Sequence, residues 1–168
     1  IKSGRSRFNL STWPTDDFPD ISQDDLSVKF VMSVDDLKTM IDKTKFAISN
    51  EESRYYLNGI FFHSAHKNGI DVLRSVATDG HRLAQYDMPL PHGAEKMSGI
   101  IIPKKTTLEL RRILDDANGD VQIELSSSKV KFVFSEIELV SKVIDGTFPD
   151  YTIVIPDNKY KKLKTNIS

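Results

Sequence analysis

The chain has 168 residues, of which 39% are hydrophobic and 28% charged, and its 23 basic and 24 acidic side chains give a formal net charge of −1 at pH 7. A near-neutral chain has no overall field that attracts nucleic acid, so any DNA contact requires a local basic surface. The absence of cysteine excludes disulfides, thiolate-bound zinc and cysteine nucleophiles, and no apolar run reaches the roughly 20 residues that a membrane span needs. A reducing, cytoplasmic compartment fits this composition.

Both ends of the sequence resemble parts of neighbouring units. Weak alternation of apolar and polar residues over 1–12 predicts an edge strand, and residues 13–25, with two prolines and five aspartates, predict a linker. Residues 162–168 resemble the opening of a further strand, and the chain has no initiator Met. We therefore expect a piece of a longer protein.

A strand and a helix follow the linker. Residues 28–32 predict the strand, and Ser33 is placed to cap a helix that runs to about residue 48, with Asp36 beside the free N–H groups of its first turn. The spacing of apolar side chains predicts a buried stripe that consists of Leu37, Met40, Ile41, Thr44 and Ile48.

The next block is rich in strands. Residues 55–64 and 70–78 flank Asn68-Gly69, a pair typical of a tight primed turn. Asp79-Gly80 predicts a second such turn into a strand over 81–87.

The same order of elements then recurs. A strand over 99–103 leads into a helix over 106–117, which ends at Asn118-Gly119. The predicted stripe of this helix is Leu110, Ile113, Leu114 and Ala117. Three alternating strands follow, over 121–125, 129–134 and 136–144. This order predicts an α+β fold: a duplicated strand–helix–antiparallel-strands unit with two helices on one face of antiparallel sheets.

The densest polar cluster lies over residues 77–84. Asp79 and His81 could form an acid–base pair, but the sequence favours a turn, because no nucleophile or oxyanion donor set accompanies them. A third option is a recognition surface for a peptide. The sequence has no nucleotide-binding glycine loop. Its four histidines have no metal-site spacing, so we expect neither a metal nor a cofactor.

Several basic and aromatic residues are candidates for a nucleic-acid contact. Tyr55 and Tyr56 beside Arg54 could contact bases or phosphates, or could simply alternate along a strand. Lys104 and Lys105 precede a helix N-terminus, an end that favours anions, although solvated lysines are the ordinary case. The helix cations opposite the apolar stripes predict a basic side of the domain, and they are Lys38, Lys45, Arg111 and Arg112.

Four segments carry a family resemblance: residues 54–59, 76–84, 102–105 and 144–151. In order and spacing they resemble the bacterial DNA polymerase III beta subunits, the sliding clamps. The resemblance implies the DNA-clamp fold, with the tail of a first domain and a linker over 1–27, a complete second domain over 28–156, and a linker and first strand of a third over 157–168. It also implies a non-catalytic processivity factor that forms a homodimeric ring and slides on duplex DNA without reading sequence.

The resemblance further implies a groove for short peptides of the replicative polymerase, clamp loader and repair proteins, such as Gln-Leu-x-Leu-Phe. Ile153 stands where some members have arginine. The groove residues it implies are Leu57, Thr78, Gly80, His81, Arg82, Leu83, Pro149, Ile153 and Val154. The DNA-facing residues it implies are Arg54, Tyr55, Tyr56, Lys104 and Lys105.

Two alternatives stay open at this point: a hydrolase or transferase domain that uses Asp79 and His81, and a free-standing peptide-binding module. Without the third-domain half of the groove and one ring interface, we expect a monomer that binds such peptides weakly.

Overall fold

The computed structural model describes residues 1–17 and 26–155. The first residues form a small hairpin of β1 (Lys2–Ser3) and β2 (Ser6–Arg7), followed by a 3₁₀ turn at Thr15–Asp17. This hairpin stands where the edge strand over 1–12 was predicted: its residues are exposed, and among the described residues β1 and β2 pair with each other and not with a larger sheet. Most of the predicted linker and the strand predicted at the C-terminus lie outside the described residues.

The remaining elements form two halves with the same order. The first half consists of β3 (Val28–Ser33), α1 (Val34–Thr44), β4 (Gly59–Lys67), β5 (Ile70–Thr78) and β6 (Leu83–Pro89). The second half consists of β7 (Ile100–Pro103), α2 (Lys104–Asp116), β8 (Asp120–Leu125), β9 (Lys129–Val133) and β10 (Glu138–Lys142). Short 3₁₀ helices lie at Lys45–Ala47, Glu52–Leu57 and Tyr151–Val154. The predicted duplication is thus visible as two strand–helix–three-strand halves.

The start of α1 follows the sequence expectation. The Asp36 amide donates to Ser33 Oγ at 3.0 Å, so the predicted cap satisfies one of the free N–H groups of the first turn. The α-helix ends at Thr44 instead of near residue 48, and the chain continues as the 3₁₀ turn Lys45–Ala47. The predicted stripe is buried along its whole length, including Ile48 beyond the helix.

Three local predictions are wrong in detail. Tyr55 and Tyr56 lie in the 3₁₀ helix Glu52–Leu57, and the strand begins only at Gly59, where the backbone comes close to Ile102. Helix α2 begins at Lys104, directly after the end of β7, so both lysines belong to its first turn instead of preceding it.

The connection from β5 to β6 is the third correction. It spans four residues, 79–82, instead of a two-residue turn, because the Asp79 carboxylate accepts the N–H groups of both His81 and Arg82 at 3.0 Å. The Asn68-Gly69 turn agrees with prediction, since both residues have positive φ values, 51° and 85°.

The two halves exchange their first strands. One antiparallel sheet has the order β10-β9-β8-β3, and the other has the order β6-β5-β4-β7. Strand β3 of the first half therefore pairs with β8 of the second, and β7 of the second half pairs with β4 of the first. Each sheet is completed by a strand from the other half, so the halves interlock.

Strand alternation divides the core between two faces of the β6-β5-β4-β7 sheet. Ile60, Phe62 and Leu73 face the main core, which includes both helices and the other sheet. Phe61, one position from Ile60 and Phe62, and Val76, three positions from Leu73, join a smaller apolar cluster with Leu57, Phe148 and Tyr151. Because neighbouring residues of a strand face opposite ways, this smaller cluster lies on the face away from the helices.

Candidate functional site

A groove of about 490 Å³ lies beside the smaller apolar cluster. All the residues that the sequence analysis assigned to a peptide groove line it, namely Leu57, Thr78, Gly80, His81, Arg82, Leu83, Pro149, Ile153 and Val154. Arg54, Tyr56, Asp150 and Tyr151 also line it. Three separate stretches of sequence therefore meet at one concave surface.

One wall of the groove is the 3₁₀ helix Tyr151–Val154, called the wall segment below. Asp150 caps it, since its Oδ1 accepts the Thr152 amide at 3.0 Å. Tyr151 is buried, whereas Ile153 is 81% and Val154 65% exposed. When a partner covers apolar side chains that are this exposed, the free energy of the system falls, so binding is favoured.

The loop over residues 79–82 supplies another part of the groove lining, through Gly80, His81 and Arg82. Gly80 has a φ of 88°, a left-handed conformation that favours glycine, and Thr78 Oγ1 accepts the Gly80 amide at 3.1 Å. The backbone N–H groups of His81 and Arg82, followed by the Arg82 side chain, lower the pKa of Asp79 to about 2. Asp79 is therefore a loop-forming carboxylate that stays ionised, and its contacts do not favour the acid–base pair considered above.

The three consecutive residues predicted to face DNA, Arg54, Tyr55 and Tyr56, do not share one environment. Arg54 donates to Glu51 through Nε at 2.8 Å, and together with Tyr56 it lines the groove. Tyr55 points elsewhere and is 53% exposed, with its ring edge-on to Tyr56 at 5.8 Å. The structure thus brings Arg54 and Tyr56 to the groove instead of leaving all three residues on one surface.

The helix cations are paired with helix carboxylates. Arg111 bridges the two helices, since it lies 2.8 Å from Asp42 and 2.6 Å from Asp115. Lys38 also contacts Asp115 at 2.8 Å, and Lys45 contacts Asp42 at 2.5 Å. Arg112 lies 3.5 Å from Glu109. The prediction of a basic side built from these four cations is wrong, because neighbouring carboxylates offset their charges.

The first turn of α2 carries the two predicted lysines. Lys105 is exposed, and Lys104 donates to the side chain of Asn50. Acidic residues are absent from this first turn. These two lysines therefore remain as candidates for a phosphate contact on the helix side of the domain.

A polar network beneath the groove was missed by the sequence analysis. It consists of His63, Arg74, Asp87 and the Tyr151 hydroxyl. His63 and Arg74 are directly opposite each other on β4 and β5, and Arg74 is opposite Asp87 on β6. Strand register would have been needed to find this row, and the sequence pattern does not supply it.

The described residues offer neither a metal site nor a membrane-spanning helix. Within residues 1–17 and 26–155, no cluster of three or more His, Asp or Glu side chains is arranged to hold a metal ion. Over the same residues, neither helix is long and apolar enough to cross a membrane.

The profile of the family described as "DNA polymerase III beta subunit, central domain" matches residues 31–150. The chain belongs to this family. Among curated members, it is 50% identical to the beta sliding clamp of Caulobacter vibrioides (strain NA1000 / CB15N) over 163 residues, which is 97% of this chain and 44% of that protein. It is 38% identical to the beta sliding clamp of Escherichia coli (strain K12) over 164 residues, 98% of this chain and 43% of that protein.

Solved structures of the DNA polymerase III beta subunit family share the fold. The Caulobacter crescentus beta sliding clamp superposes with a TM-score of 0.88 at 51% identity, over 92% of this chain and 41% of that one. A sliding clamp from Bartonella birtlesii, solved with griselimycin bound, gives a TM-score of 0.86 at 49% identity, over 91% of this chain and 41% of that one. These matches confirm the α+β clamp fold, and the chain spans less than half the length of these relatives.

Proposed function

We propose that the chain is the middle of a sliding clamp, a processivity factor that encircles duplex DNA and moves along it during replication. Residues 28–156 are its second domain, 1–27 the end of the first domain with a linker, and 157–168 the start of the third. The family match over 31–150 supports this division, as do relatives that extend well beyond the aligned region. The complete protein is a ring of two subunits in the cytoplasm, and the 168-residue piece is monomeric.

The observation that carries the proposal is the groove with its exposed apolar wall on the sheet face opposite the helices. The helices are thereby free to face DNA while the groove faces outward. Short peptide motifs of the replicative polymerase, the clamp loader and repair proteins would place their apolar side chains against Leu83, Ile153 and Val154. The role is accessory and non-catalytic: the groove recruits the enzymes, and the ring keeps them on DNA.

We assign Lys104 and Lys105, in the first turn of α2, and the exposed Tyr55 to the DNA contact. Contacts to phosphate carry no base information, which suits a protein that slides. Arg54 and Tyr56 belong instead to the groove, because they line it.

A fluorescent peptide of the Gln-Leu-x-Leu-Phe type tests the groove. We expect it to bind to the full-length protein, with weaker binding to the 168-residue chain, as measured by fluorescence polarisation. Changing His81 or Leu83 to alanine should weaken binding about 5- to 30-fold, since each substitution removes roughly 1–2 kcal/mol of contact at the groove. His92→Ala is the matched control, because His92 is fully exposed in a loop and is absent from the groove lining.

Two results would argue against the groove. The first is that the full-length protein fails to bind the peptide at high concentration. The second is that His81→Ala, Leu83→Ala and His92→Ala all have the same affinity as the unaltered protein.

A further inference from the structure

A row of polar side chains crosses the outer face of the β6-β5-β4-β7 sheet below the groove. Arg74 donates to Asp87 through Nε at 2.6 Å and through its NH2 group at 3.1 Å, and the two side chains are only 12% and 9% exposed. Lys67 donates to the same carboxylate at 2.7 Å. The guanidinium of Arg74 is therefore fixed in the sheet.

The Tyr151 hydroxyl lies above this row and has two partners. Arg74 NH1 donates to it at 3.2 Å, and His63 Nε2 lies 2.9 Å from it. His63 Nδ1 lies 2.8 Å from the carbonyl oxygen of Ser64, which can only accept, so Nδ1 carries the proton. In neutral His63 the Nε2 atom must then accept, and the Tyr151 hydroxyl donates to it.

Tyr151 is the first residue of the wall segment, whose exposed Ile153 and Val154 line the groove. Its ring is edge-on to Phe148, which in turn stacks on Phe61 at 4.8 Å. The two hydroxyl bonds thus connect the wall segment to β4 and β5, and β5 ends at the groove residue Thr78.

We propose that His63 and Arg74 are positioning residues of the groove: through the Tyr151 hydroxyl they hold the wall segment in its binding geometry, and protonation of His63 releases it. The proposal rests on the peptide-binding function proposed above. Neither residue lines the groove, so each acts through Tyr151.

The charges around His63 explain the direction of this pH response. Burial lowers the pKa of His63, the bond to the Ser64 carbonyl opposes that shift, the positive charge of Arg74 lowers the pKa further, and Asp87 opposes it. Once protonated, His63 would donate from Nε2 towards a hydroxyl that already accepts from the Arg74 cation. The Tyr151 hydroxyl would lose its acceptor, and two cations would face the same oxygen atom. Neutral His63 therefore favours the fixed wall, and acid favours its release.

The test compares three variants of the full-length protein with the fluorescent Gln-Leu-x-Leu-Phe peptide between pH 5 and 8. Tyr151→Phe keeps the ring in the groove but removes both bonds, and should weaken binding at pH 7.5 about 3- to 10-fold, the worth of one hydrogen bond or slightly more. His63→Gln keeps an acceptor but cannot titrate, so it should bind within about 2-fold of the unaltered protein at pH 7.5 and lose part of the decline at acid pH.

His66→Gln is the matched control, since His66 lies on the same strand but is exposed and pairs with Asp71 at 2.8 Å. It should keep the full acid decline. His81 lies in the groove itself in all these proteins, so the difference between the His63→Gln and His66→Gln profiles isolates His63. By linkage, peptide binding should also lower the NMR-measured pKa of His63.

Amide hydrogen exchange separates failure of this proposal from failure of the peptide-binding function. Faster amide exchange at Thr152 and Ile155 in Tyr151→Phe supports the positioning role, whether or not the peptide binds. If the peptide does not bind, only the proposed peptide-binding function is contradicted. Unchanged affinity and exchange in Tyr151→Phe, or identical pH profiles for the His63 and His66 variants, would overturn the positioning role while peptide binding stands.

Discussion

At the scale of single residues, two glycines of the family segments serve different purposes. A Cβ atom added at Gly59 would lie 2.2 Å from the carbonyl oxygen of Ile102, where β4 pairs with β7. At Gly146 the nearest atoms are side-chain atoms of Tyr56 and Tyr55, at 3.2 and 3.3 Å. Backbone atoms of a paired strand cannot move aside as easily as side chains can.

Gly59→Ala should therefore lower the free energy of unfolding by about 1–3 kcal/mol, because β4 and β7 must move apart to admit the methyl group. Gly146→Ala should stay within about 1 kcal/mol of the unaltered chain, since small side-chain shifts are offset by a less flexible unfolded state. Urea unfolding monitored by circular dichroism measures both. Equal losses in the two variants would contradict this distinction.

Local residue chemistry accounts for what the sequence predicted correctly. The Ser33 cap and the Asn68-Gly69 turn depend on a few neighbouring residues, and both were found as predicted. The 3₁₀ helix at Tyr55 and Tyr56 was not predicted, because a long-range contact between Gly59 and Ile102 decides where β4 begins. The groove residues came from the family resemblance, whereas the His63–Arg74–Asp87 row required strand register.

At the scale of secondary-structure elements, the two helices differ in how their charges are arranged. Lys38 of α1 pairs with Asp115 of α2, and Arg111 of α2 pairs with Asp42 of α1, across the helix contact. The first turn of α2, by contrast, has Lys104 and Lys105 and no acidic residue. A phosphate would therefore meet positive charge at the beginning of α2 more readily than along the helix contact.

Changing Lys104 and Lys105 to glutamate in the full-length protein should shorten its retention on circular DNA. Each lost phosphate contact should also reduce the salt dependence of binding by about one unit of the log–log slope. The single change Lys105→Glu has a matched control in Lys96→Glu, which makes the same charge change on an exposed residue of the loop between β6 and β7. Equal retention of Lys105→Glu and Lys96→Glu would remove Lys105 from the DNA contact.

At the scale of the whole molecule, many carboxylates have lowered pKa values in the folded state. Hydrogen bonds from the backbone N–H groups of His81 and Arg82 and from the Arg82 side chain lower the pKa of Asp79 to about 2. Hydrogen bonds from the side chains of Lys38 and Arg111 lower the pKa of Asp115 to about 2. The unfolded chain, with aspartate pKa values near 3.8, binds more protons than the folded chain between these values. The stabilisation from these groups is therefore complete above about pH 4 and is lost as the pH falls towards 2.

The free energy of unfolding should thus decline steeply between pH 4 and pH 2, as measured by urea unfolding at successive pH values. Asp115→Asn should flatten part of this decline, because the asparagine side chain cannot titrate. An Asp16→Asn variant is the control, since Asp16 lies in the exposed N-terminal turn. A decline unaffected by Asp115→Asn would show that the contacts of Asp115 with Lys38 and Arg111 do not stabilise the fold.

The exchange of β3 and β7 between the halves has a consequence for how such a domain could arise. A single strand–helix–three-strand unit would form a sheet of only three strands. Its first strand would have no partner within the same unit. Two copies of the unit related by a twofold axis would each supply the strand that the other lacks. The simplest ancestor that satisfies these hydrogen bonds is a symmetric pair of separate half-length chains, later joined through what is now the loop between β6 and β7.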